Sequence, residues 1–206
     1  PGAMGIFLGA LASRAGRSLA AFAACLMLAC AVAIMTCCKD GAGPGSPELP
    51  RGREQWLRLM SLLTVVVLRS YGGVIMSFPW KTGAWAWIAA LCVVGGKCIG
   101  GFASDRFGEV RSATVTLSAA AAALIFSAFP LPGALGLLLF NMSMPVTLYA
   151  ARDILREGRA TAFGLLTLGL FLGMLPAFSG ASGSGQDYAM ICLISIMLIR
   201  VGVGKR

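Results

Sequence analysis

Charged residues make up only 12% of this chain, and two cations stand inside apolar runs: Arg69 in "VVVLRSYGG" and Lys97 in "VVGGKCIGG". A cation at the centre of a bilayer costs about 3 kcal/mol on insertion scales, so such a residue is seldom idle. The chemistry open to it is recognition, because a charge in a low-dielectric site attracts an anion more strongly than it would in water. Arg69 falls near the middle of its run, whereas Lys97 is about two helical turns from Asp105 and within snorkelling reach of the surface. The eight acidic residues, Asp40, Glu48, Glu54, Asp105, Glu109, Asp153, Glu157 and Asp187, all fall in or beside loops. The chain therefore embeds no carboxylate to offset the two cations or to carry a proton. An anionic solute, or a counter-ion from across a cavity, is the expected partner.

Catalysis is not expected. The chain has no His, which removes the usual general base and the commonest metal ligand. Its seven Cys lie mainly within apolar runs, not at paired ligand spacings, so neither a metal centre nor a disulfide framework is read. No enzyme activity, cofactor or metal is expected.

The elements that carry these residues follow from composition. With 58% hydrophobic residues and a mean hydropathy of +0.84, the chain could not cover a surface facing water, so its helices must face lipid. The fold class is all-α, a polytopic transmembrane helix bundle. A span needs roughly 20 apolar residues. On that measure a partial span covers 3–13, and full spans cover 18–38, 57–78, 84–104, 112–129, 133–150, 160–178 and 188–203. The Pro- and Gly-rich stretch from Lys39 to Gln55, with charges of both signs, can neither continue a helix nor sit in lipid. The reading is an end of one bundle at 1–38, a linker at 39–56 and a six-helix bundle at 57–206. The opening at Pro1, without a basic stretch or a small-residue cleavage site, reads as a piece of something longer and not as a signal peptide.

The formal charge of +9 could suggest nucleic acid, but the basic residues sit in short clusters between spans, as membrane topology requires. Lys39, Arg51, Arg53, Arg58, Arg106, Arg111, Arg152, Arg156, Arg159, Lys205 and Arg206 share one face, which is cytoplasmic and includes the C-terminus; Arg14, Arg17 and Lys81 fall on the other. No nucleic-acid partner is expected.

The stretch "GGFASDRFGEVR" at 100–111 sets a carboxylate beside a guanidinium at the end of an apolar run, with the spacing Gly-x-x-x-Asp-Arg-x-Gly. Glycines there let helix backbones approach, and a carboxylate can accept hydrogen bonds from the free amides at a neighbouring helix's N-terminus. "GALASRAG" at 9–16 repeats the spacing, but Ser13 replaces the acid and parity puts it on the opposite face, so it reads as an ordinary turn. The copy at 100–111 resembles motif A of the major facilitator superfamily, here between the second and third spans after the linker. The resemblance implies the C-terminal half of such a transporter, preceded by the end of its N-terminal half. It makes Gly101, Asp105, Arg106 and Gly108 a latch that closes the cytoplasmic side against a helix this chain lacks. Glu109 interrupts the basic residues that usually continue the motif.

Other residues join Arg69 and Lys97 as candidates for a solute pathway. Tyr71 stands beside a Gly pair, and "FNMSMPVTLY" places Asn141 and Thr147 around Pro145, where a broken helix could line a cavity. Trp80, Trp85 and Trp87 read as an outer-interface belt, and Gly169 and Gly173 as helix packing. The resulting expectation is a secondary transporter in a bacterial cytoplasmic membrane, moving a small organic solute by alternating access, with an anion as the class the two cations favour. Its partners are the bilayer, the solute and the missing N-terminal helices. A proton-coupled drug efflux transporter and a non-transporting fragment or sensor are the alternatives.

Overall fold

A computed structural model of the chain describes residues 52–155, 159–176, 180 and 182–203. The readings at 1–38, at 9–16 and over most of the linker lie outside these residues. Every regular element among the described residues is helical. They are α1 (Arg53–Ile75), α2 (Ala84–Phe107), α3 (Glu109–Ile125), α4 (Pro130–Met142), α5 (Met144–Ile154), α6 (Arg159–Met174) and α7 (Gly185–Val203).

Helix α1 starts at Arg53, so 53–56 belong to it and not to the linker. Its first turn is held by an exposed i,i+4 pair, Arg58 Nη2 donating to Glu54 Oε1 at 2.5 Å. One glycine, Gly108, both ends α2 and starts α3, with φ 84 and ψ 148, a region closed to side-chain-bearing residues. A capping box opens α7: Asp187 Oδ2 accepts from the Ser184 amide at 2.8 Å, while Ser184 Oγ lies 3.4 Å from the Asp187 amide.

Among the described residues, four helical stretches are long and apolar enough to cross a membrane: α1, α2, the joined α4 and α5 (Pro130–Ile154), and α7. Helices α3 and α6, with 17 and 16 residues, are shorter. At about 1.5 Å per residue they reach about 26 and 24 Å, against a hydrocarbon thickness of about 30 Å.

Packing runs α2, α4, α3, α7, α1, α6 from neighbour to neighbour, and α5 touches α1, α2 and α6. The broken helix thus begins among α2 and α3 and ends beside α1 and α6. Two apolar cores result. One joins α3, α4, α7 and the later part of α1 through Leu117, Leu124, Phe140 and Ile199; the other joins the start of α1 to α5 and α6 through Leu59, Leu62, Ala151 and Leu166. The first core spans the break in α4 and α5, with Phe140 before it and Val146 after it, and the second takes over at Ala150.

Trp80 is not a membrane anchor. It is 8% exposed, stacks on Phe78 at 5.1 Å between ring centroids and donates from Nε1 to the Ser127 carbonyl at 2.8 Å. Its polar edge is satisfied inside the protein, so nothing draws it to the headgroups. Trp87, at 36% exposure, remains on the surface.

Candidate functional site

Pro145 is the second residue of α5, where its missing amide would be unpaired in any helix start. In an unbroken helix that amide would have bonded the Asn141 carbonyl four residues earlier, and the proline ring also clashes with that carbonyl. The chain instead turns at Ser143, between α4 and α5. The Asn141 carbonyl thus loses its helical donor; the Ser143 amide reaches it across the turn, and its second lone pair stays open.

Arg69 of α1 reaches that acceptor. Its Nη2 donates to the Asn141 backbone oxygen and to Asn141 Oδ1, both at 3.3 Å, and its Nη1 donates to Ser143 Oγ at 3.0 Å. The guanidinium carbon lies 5.5 Å from the centroid of the Phe140 ring, within cation–π range. Arg69, Asn141 and Ser143 are 8%, 8% and 2% exposed. Each neutral partner is tied down in turn: Asn141 Nδ2 donates to Leu137 O at 2.8 Å, and Ser143 Oγ donates to Phe140 O at 2.9 Å. All of Arg69's hydrogen-bond partners among the described residues are uncharged. From α7, the buried Cys192 thiol is near enough to Arg69 to interact electrostatically.

Of the pathway candidates, Arg69 and Asn141 meet directly. Thr147 is 2% exposed, and its hydroxyl donates to the Met144 carbonyl at 2.9 Å, so it is spent on its own helix. Tyr71 is half-buried against the larger core. Lys97 is half-buried on α2, within electrostatic range of Arg69, and has no hydrogen-bond or ion-pair partner among the described residues. Two like charges thus stand near the break. Glu54, Asp105, Glu109, Asp153 and Asp187, the acids among the described residues, all lie in the end turns of helices.

The motif residues sit at the junction of α2 and α3. Asp105, Arg106 and Gly108 are exposed, and a side chain at Gly101 would meet open space. The close approach falls on Gly96 and Gly100, where a Cβ would strike the backbone carbonyls of Leu138 and Met142. Beside Asp105 is a cavity of about 510 Å³, lined in part by Glu109, Arg111 and Tyr149. Glu109 Oε2 is buried there without a hydrogen-bond partner among the described residues.

Sequence reasoning passed over Ser143 and Phe140. The available signal was Pro145 itself, since counting four residues back marks the carbonyl that must find another donor. Among the described residues no three His, Cys, Asp or Glu side chains gather as metal ligands would. No family model matches the chain, and no curated protein or solved structure is significantly similar to it.

Proposed function

We propose that the chain is part of a secondary transporter of the major facilitator type, which moves a small organic anion across a membrane by alternating access and catalyses no reaction. One observation carries the reading: among the described residues, a buried guanidinium at a broken helix has only neutral partners, with a second, unpaired cation nearby. A lone charge inside a bilayer is expensive, and placing it at a helix break is the economy of a binding site. An anion entering there gains a charge-assisted hydrogen bond, roughly twice as strong as a neutral one.

Two features support the family. The Asp-Arg pair ends α2 and Gly108 joins α2 to α3, matching the place of motif A. With the broken helix counted once, the described residues form six helical segments. The second bundle half, the cytoplasmic side for the motif and the coupling ion belong to the same proposal.

Proteoliposomes carrying the protein would be loaded with matched organic anions and cations of equal size, and counterflow measured with wild type and Arg69→Gln. Anion exchange that falls at least about tenfold on substitution is expected, one lost charge-assisted hydrogen bond being worth about 1.5–3 kcal/mol. Cation exchange indifferent to Arg69→Gln would overturn the anion reading, and no exchange of either class would overturn transport by this chain.

A further inference from the structure

The distances around Pro145 assign Arg69 a task separate from solute binding and independent of the transport reading. We propose that Arg69 is a positioning residue that replaces the amide missing at Pro145, and that its bond to the Asn141 carbonyl pins the break between α4 and α5.

Three observations converge on this. The carbonyl that Arg69 reaches is the one Pro145 deprives of its helical donor, four residues back, and Arg69 reaches it from 72 positions away in the chain, beside the Ser143 amide that also donates to it. The same guanidinium also donates to Ser143 Oγ, the side chain at the break itself, at 3.0 Å. A single planar group therefore ties the last turn of α4 to the residue at the break, which a point-charge ammonium could not do with fixed geometry. Finally, α2 supports the last turn of α4 from outside the pin, because Gly96 and Gly100 bring its backbone against the Leu138 and Met142 carbonyls. The α4 carbonyls that α2 covers thus lie before and after Asn141 in the chain, while that of Asn141 takes Arg69 and the Ser143 amide.

If Arg69 stands in for an amide, restoring the amide should make it dispensable. The experiment is a double-mutant cycle in the full chain, purified in detergent and unfolded by titration with SDS: wild type, Arg69→Met, Pro145→Ala and both together. Pro145→Ala supplies a backbone amide that can bond the Asn141 carbonyl directly. The effect of Arg69→Met on the folding equilibrium should therefore be more favourable by about tenfold in the Pro145→Ala background, the scale of one buried hydrogen bond. An Asn141→Leu exchange in all four proteins, which keeps the backbone carbonyl and removes the amide side chain, should leave that coupling in place. Folded Arg69→Met protein recovered only when Pro145→Ala is also present would be the same result in its strongest form. Equal effects of Arg69→Met in both backgrounds, including equal failure to fold, would overturn the proposal. Loss of the coupling with Asn141→Leu would also overturn it, because the acceptor would then be the side chain.

Discussion

A Cβ built on Gly100 falls on the backbone of Met142, so α2 meets the broken helix main chain to main chain at the last residue of α4. A close approach of this kind permits weak Cα–H contacts to carbonyl oxygens, and membrane helices use small residues to reach it. It also makes the neighbouring glycines unequal. Gly100→Ala should destabilise the bundle by about 1–3 kcal/mol, because the obstacle is backbone and cannot swing aside. Gly101→Ala should change stability by less than about 0.5 kcal/mol, since nothing lies within 4 Å of its added carbon. SDS-unfolding midpoints of the two variants check the difference, and equal midpoints would refute the packing.

Gly108 offers a test of backbone strain. At φ 84 and ψ 148 it lies outside the left-handed helical well that Asn tolerates. Both Gly108→Ala and Gly108→Asn should therefore cost about 1–3 kcal/mol, with no rescue by Asn. Recovery of wild-type stability by Asn would mean that the turn between α2 and α3 relaxes into an ordinary left-handed cap.

Trp80→Phe removes the donor to the buried Ser127 carbonyl while keeping an aromatic ring against Phe78. The expected loss is about 1–3 kcal/mol, the cost of stranding a buried acceptor. Brominated lipids should quench single-tryptophan protein retaining Trp87 more strongly than protein retaining Trp80. Equal quenching would return Trp80 to the membrane interface.

Asp105 is exposed among the described residues, so Asp105→Asn should leave the stability of this chain within about 0.5 kcal/mol of wild type. If the proposed latch exists in the assembled transporter, the same change should speed labelling of a cysteine placed at Val110, which lines the adjoining cavity. An unchanged labelling rate would leave Asp105 as a solvated loop residue.

The apolar helices and the position of the break were legible in the residues, although two of the expected full spans, 112–129 and 160–178, are too short in the structure to count as spans. Hydropathy is a sum over local composition, and a proline marks its effect four residues upstream whatever surrounds it. The cations inside apolar runs were legible for the same reason, as was the junction of two helices at Gly108. Tertiary structure alone decided that Arg69 meets Asn141 and Ser143, that Trp80 points inward, and that Gly100 packs where Gly101 does not. In water a helix advertises its buried side by an apolar stripe. In lipid the face turned to hydrocarbon and the face turned to another helix are both apolar, so hydropathy cannot tell them apart. Adjacent glycines differ by about 100° around the helix, and only the crossing of α2 over α4 determines which of them lies between the two backbones.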